Sequence, residues 1–237
     1  MEGDWVMVQE DYSDLFIKYF SFWPHLTSQE KELLGKNTSL EVYPKGTNMH
    51  SGDENCAGIF LLKSGQLRTY LLSEEGRDIT LYRLFAGDVC ILSASCVLKE
   101  ITFDVFIDAE EDTEVLIINS SVFNQIANQN IYMKCYGYQL ATARFSDVIW
   151  AMQQILFMGA DKRLAIFLLN EVNKNKKDTI KMTHEQAARY MGSAREVVSR
   201  MLKYFSSEGI VELSRGGIQI IDKKKLQSLA ILQMKKN

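Results

Sequence analysis

Arg195, Glu196, Ser199 and Arg200 carry hydrogen-bonding side chains at helical spacing near the C-terminus. An arginine fork can bond guanine O6 and N7 together, a glutamate accepts from cytosine N4, and a serine hydroxyl reaches a phosphate or a thymine. A solvated helix face accounts for any one such residue alone. In register on one capped helix, they point instead to a surface that reads base-pair edges in the major groove of double-stranded DNA. Thr183, Ser193 and Arg215 complete the set assigned to DNA contact.

The elements that must position this set are legible on either side. Thr183-His184-Glu185-Gln186 has the form of a capping box and starts a helix that runs to Met191. Gly192 ends it. Ser193-Ala194-Arg195-Glu196 reads as a second capping box, opening an amphipathic helix whose apolar positions are Val197, Val198, Met201, Leu202 and Phe205. Ala188 is small enough to let two helices approach, and Gly192 accepts the backbone of a tight turn. That pairing predicts a helix-turn-helix. Beyond Gly209, two short apolar runs, 210–213 and 218–221, flank Ser214-Arg215-Gly216-Gly217, which predicts a hairpin serving as a wing.

Charge follows the same division. From Ala160 onward there are 16 Lys and Arg against 8 Asp and Glu, while residues 1–159 hold 11 against 22. The basic segment suits a polyanion, and the acidic remainder discourages nucleic acid from binding elsewhere. No apolar stretch approaches the roughly 18 residues of a membrane-spanning helix. The acidic start, Met1-Glu2-Gly3-Asp4, does not resemble a signal peptide. A soluble cytoplasmic chain without a membrane partner is expected, with its cysteines as free thiols.

Upstream, Thr27-Ser28-Gln29-Glu30 is a further capping box in a short helical opening that ends near residue 36. From Ser39 to Asn119 short β-branched and aromatic runs alternate with turn signals such as Lys45-Gly46, Lys63-Ser64-Gly65 and Ala86-Gly87-Asp88. Such a pattern predicts a β-barrel or sandwich. After Asn119 the period lengthens: Ile131, Cys135, Tyr138, Thr142, Phe145, Ile149, Met152 and Leu156 recur in alternating steps of four and three, the seam of a coiled coil. The stripe could pack on the chain's own barrel. Its narrowness, with Arg144, Asp147, Gln153 and Gln154 lying off it, favours a homodimer. Met158-Gly159-Ala160-Asp161 breaks the helix and marks a hinge.

Gly192-Ser193-Ala194-Arg195-Glu196-Val197-Val198-Ser199-Arg200-Met201-Leu202 resembles the recognition-helix signature of the Crp/Fnr family of bacterial transcription regulators. The glycine-punctuated strands, the long helix and Asp161-Lys162-Arg163-Leu164-Ala165 extend the resemblance over nearly the whole chain. It implies an α+β chain with an effector-sensing β-barrel or jelly-roll of the cyclic-nucleotide-binding type at 1–119, a dimerisation helix at 120–158 and a winged helix-turn-helix at 159–237. It also implies a palindromic DNA site and RNA polymerase as a candidate partner. By resemblance, Glu196 and Arg200 match positions that read a G·C pair, Arg195 reads a base or clamps a phosphate, and Ser199 is a variable reader.

The effector stays unidentified. Gly87, Asp88, Cys90, Ser93, Cys96 and Phe103 are the residues assigned to its pocket. Cyclic AMP is not expected, because the stretch corresponding to the family's phosphate site, Phe103-Asp104-Val105, has an aspartate where an anion needs an arginine. Cys90 and Cys96 could form a redox pair or hold a metal or haem, although buried cysteines usually serve as small core residues. The acidic run 108–112 could bind a cation or form a solvated loop. His25, His50 and His184 show no metal-ligand spacing. No nucleophile–base pair or phosphate-binding glycine loop is present, so the chain is not expected to be an enzyme. The rival reading is a ligand-binding module whose basic segment docks on an acidic protein.

Overall fold

The structure is a computed structural model that describes residues 12–51, 58–76, 78–91 and 105–231. The chain divides into two compact units, Met1–Leu71 with Leu81–Asp147, and Leu72–Thr80 with Val148–Asn237.

The first unit opens with α1 (Ser13–Tyr19), a 3₁₀ turn at Trp23–His25 and α2 (Ser28–Lys36). Thr27 caps α2 reciprocally with Glu30, so two of the helix's orphan backbone donors are satisfied locally. Phe16, Phe20, Phe22 and Trp23 are buried and stack on one another, joining these short helices into a single aromatic layer. The strands are β1 (Thr38–Tyr43), β2 (Asn48–His50), β3 (Ile59–Ser64), β4 (Gln66–Leu72), β5 (Asp78–Phe85), β6 (Val89–Cys90), β7 (Phe106–Ala109) and β8 (Thr113–Ile118).

These strands correct the expectation of a β-barrel or jelly-roll. They form two separate four-stranded sheets, ordered β1-β8-β3-β6 and β2-β7-β4-β5, that are not closed into a barrel. Closure needs an unbroken hydrogen-bond ladder from edge to edge. Here β6 spans two residues, and the three-residue β2 shifts register between Asn48 and His50. The alternation of apolar and polar residues predicts strands, but it carries no information on whether the edge strands meet.

Asn119 caps α3 (Ser120–Gln129) by accepting from the backbone of Ser121 and Val122. Helix α4 (Ile131–Phe157) follows. The stretch 120–158 is therefore two helices. Asn130 separates them in an extended conformation, and its side-chain oxygen accepts from the backbone of Tyr132 and Met133 at the start of α4. Among the described residues, no helix is long and apolar enough to cross a membrane.

In the second unit, α5 (Ala160–Asn175) leads to β9 (Thr179–Ile180), α6 (His184–Met191), α7 (Arg195–Ser207), β10 (Val211–Ser214), β11 (Gly217–Ile220) and α8 (Lys223–Ile231). Leu164, Leu168, Leu202, Phe205, Ile218 and Leu226 are fully buried and form one core beneath these elements. Strand β9, too short to signal itself in sequence, pairs with β11 and extends the β10–β11 hairpin to three strands.

Gly65, between β3 and β4, has φ +87, and a Cβ there would lie 2.7 Å from the Asp112 carbonyl oxygen. Both the left-handed backbone and the close neighbouring chain exclude a side chain. Gly65→Ala is expected to destabilise the first unit by about 2 kcal/mol or more, read as a lower urea midpoint at unchanged slope.

Candidate nucleic-acid interface

Helix α6 begins at a cap that sequence alone specifies. The Thr183 hydroxyl accepts from the Gln186 backbone at 3.1 Å, and the Gln186 side-chain oxygen accepts from the Thr183 backbone at 3.0 Å. The helix ends at Gly192, with φ 57 and ψ 46. The Gly192 N–H donates to the Arg189 carbonyl and the Ser193 N–H to the Ala188 carbonyl, which is the paired bonding of a Schellman turn. Ala187 and Ala188 are buried where α6 meets α7, so the small side chains allow close approach.

The turn also corrects the capping box expected at Ser193. Ala194 is the N-cap of α7, and no side chain caps it. The Gly192 turn commits the Ser193 backbone to closing α6. Its hydroxyl instead lies 3.5 Å from the Arg163 guanidinium of α5, which also donates to the Met191 carbonyl at 3.2 Å. Arg163 thus bonds the residues on both sides of Gly192. Burial lowers its pKa, but a guanidinium stays charged under ordinary conditions. In the sequence it was visible only as part of the approach to the second domain, because its partners lie about thirty residues away.

Helix α7 divides cleanly by face. Val198, Leu202 and Phe205 are buried, whereas Arg195, Glu196 and Arg200 are exposed and Ser199 is half-buried. Arg195 lies 3.6 Å from Glu185 of α6, both side chains more than half exposed. Such a pair is weak in water and readily exchanged for a stronger anion. A cleft of 330 Å³ opens beside it, lined by Thr183, His184, Glu185, Arg195, Ser214 and Gly216. The last two belong to the wing, where Arg215 is exposed at the tip of the β10–β11 turn. Thr183, Arg195 and the wing therefore meet at one opening. Glu196 and Arg200 lie along the same helix, and Ser193 lies in the turn.

His184, which shows no metal-ligand spacing in the sequence, is half-buried with its Nδ1 3.1 Å from the Ser199 Oγ. Its pKa is lowered by burial first, then by the charges of Arg195 and Lys203. Local spacing gave no signal for this contact, since it joins residues on two different helices.

Of the residues assigned to an effector pocket, Gly87, Asp88 and Cys90 are described. Asp88 shapes the turn between β5 and β6, its carboxylate accepting from the Phe85 backbone at 2.8 Å. Gly87 donates its N–H to the Leu62 carbonyl. Cys90 is a buried thiol paired in register with Phe60. Ser93, Cys96 and Phe103 lie outside the described residues. In the acidic run, Asp108 accepts from the Asn48 side chain and Asp112 from the Lys45 backbone. The described residues contain no cluster of three or more metal-binding side chains. Sequence reasoning missed a polar group on α4: Arg144, ion-paired with Asp147 at 2.8 Å, stacks over the buried Tyr82 ring at 4.9 Å.

The residues assigned to a seam on α4 share one property. Ile131, Cys135, Tyr138, Thr142, Phe145, Ile149, Met152 and Leu156 are all exposed, with Phe145 at 66%. Met133, Tyr136 and Leu140, on the other face, pack into the core of the first unit.

Comparison with known proteins matches residues 40–130 to a cyclic nucleotide-binding domain and residues 162–229 to a Crp-like helix-turn-helix domain. A crystal structure of a transcriptional regulator of the Crp/Fnr family from Eubacterium rectale is 46% identical, covering 90% of this chain and 99% of that one, with a TM-score of 0.84. Electron transport regulator A of Shewanella oneidensis is 25% identical over 197 residues, 78% of this chain and 76% of that protein. The Cyclic AMP receptor protein of Thermus thermophilus is 23% identical over 205 residues, 86% of this chain and 94% of that protein. With family models matched over both parts of the chain, and with a relative this similar over nearly its full length, the chain belongs to the Crp/Fnr family of transcriptional regulators.

Proposed function

We propose that the chain acts as a homodimer on a palindromic DNA site, each copy laying α7 in the major groove of one half-site. The observation that supports this most is the exposure of Arg195, Glu196 and Arg200 along one helix, beside a cleft whose rim carries Thr183 and the wing. Arg200 and Glu196 read a G·C pair through guanine O6 and N7 and cytosine N4. Arg195 and Arg215 take phosphates, helped by the excess of basic residues after Ala160. Thr183 and Ser193 add polar contacts at either end of α6, and Ser199 adds a further base contact.

In this reading residues 1–119 sense, 120–158 dimerise and 159–237 bind DNA. The exposed apolar stripe of α4 supports the dimer. Burying large side chains such as Phe145 and Leu156 against a second copy recovers about 25 cal/mol per Å² of apolar surface removed from water. Like charges facing each other across that seam would destroy the gain. The effector is a small molecule or a redox signal other than cyclic AMP, on the strength of the arginine-free stretch at 103–105. It acts by favouring one packing of the dimer helices, which changes the fraction of molecules whose α7 helices sit at half-site spacing. Cytoplasmic placement follows from access to DNA.

Binding selection on random duplexes should return a palindrome. Glu196→Ala or Arg200→Ala should then cost about 1 to 3 kcal/mol per half-site and relax preference at one base pair, which quantitative footprinting would read. An unaltered preference in both variants would exclude the assigned role. Phe145→Glu should convert the dimer to monomer in sedimentation velocity, with the helix content of each chain preserved.

A further inference from the structure

The contact between His184 and Ser199 fixes more than the position of two side chains. His184 is the first residue of α6, directly behind the Thr183 cap, and Ser199 lies on α7 between Glu196 and Arg200. With Nδ1 and Oγ 3.1 Å apart, one hydrogen bridges them. A serine hydroxyl has a single hydrogen and two lone pairs, so the direction of this bond decides what remains for a base. If Ser199 donates to the ring, its oxygen can only accept. If the ring donates to Ser199, the hydroxyl hydrogen stays free.

The surroundings favour the first arrangement. Burial, with Arg195 and Lys203 of α7 nearby, disfavours a charged imidazole. Glu185 of α6, the acidic group at the cleft, lies against Arg195. The wing contributes Ser214, Gly216 and Gly217, none of them ionisable. A neutral ring carries one N–H. His184 lines the cleft, and a phosphate seated there would draw the single N–H to Nε2, leaving Nδ1 as the acceptor.

We propose that His184 is a specificity-determining positioning residue: its Nδ1 takes the Ser199 hydroxyl hydrogen and makes Ser199 an obligate acceptor. Ser199 then selects an amino-bearing base edge, adenine N6 or cytosine N4, over thymine O4 or guanine O6. This rests on α7 reading DNA and extends that role to a residue that is not on α7.

The test is binding selection with the full chain and its His184→Ala, His184→Asn and Ser199→Ala variants. The unmodified protein should prefer adenine or cytosine at one position of each half-site. His184→Ala should shift that position about fivefold toward thymine or guanine, the scale of one hydrogen bond, and leave the positions read by Glu196 and Arg200 unchanged. His184→Asn, whose amide oxygen can accept in place of Nδ1, should restore the original preference. In a Ser199→Ala background, His184→Ala should have no effect on that position. A His184→Ala protein with the original preference, or one that shifts at every position alike, overturns the inference. Absence of any base preference in the unmodified protein would instead overturn the reading of α7. In that case ¹⁵N NMR of the free protein still decides the pairing: an unprotonated Nδ1 whose tautomer shifts in Ser199→Ala supports it, and a protonated Nδ1 refutes it.

Discussion

The left-handed turn at Gly192 is the constraint on which the interface depends. With φ at 57 it lets two N–H groups close α6 within two residues, so α7 can begin at Arg195 with its polar face outward. Any other residue there would pay the cost of that backbone region. Arg163 reinforces the turn from α5, bonding the Met191 carbonyl and lying near the Ser193 hydroxyl. The buried Val198, Leu202 and Phe205 fix the rotation of α7 about its axis. The direction of Arg195, Glu196 and Arg200 is therefore set by a glycine, an arginine and three apolar residues, none of which need touch a ligand.

Helix α4 poses the complementary problem, since it satisfies one face and leaves the other in water. Met133 is completely buried, while Tyr138 and Phe145 on the opposite side are more than 60% exposed. Isolated exposed apolar residues are ordinary, but a stripe sustained over seven turns of helix is the feature on which the proposed dimer rests. In that proposal its steps of four and three would serve knobs-into-holes packing with an identical helix. The same helix carries Arg144 over Tyr82, so changes in the first unit's core and in the seam act on one element.

Short-range chemistry was legible in the sequence and long-range chemistry was not. The capping boxes at Thr27 and Thr183 form because each needs only residues three apart. The box at Ser193 fails although its residues have the same spacing, because Gly192 had already assigned the Ser193 backbone to another helix. Two separate sheets replace the expected barrel because edge pairing is decided by strand length and register rather than by alternation. Strands β2, β6 and β9, of two or three residues, owe their extended form to a partner strand. At the interface, the exposed arginines and glutamate were readable from helical spacing. The contacts of Arg163 and His184 required the two helices to be placed in space.

The most direct measurement of the central claim is hydrogen exchange of the purified chain with and without its selected duplex. If the Gly192 turn aims α7 into the groove, added protection will concentrate in peptides spanning α6, α7 and the β10–β11 wing. Protection confined to the first unit, with α7 exchanging as in the free protein, would contradict the account.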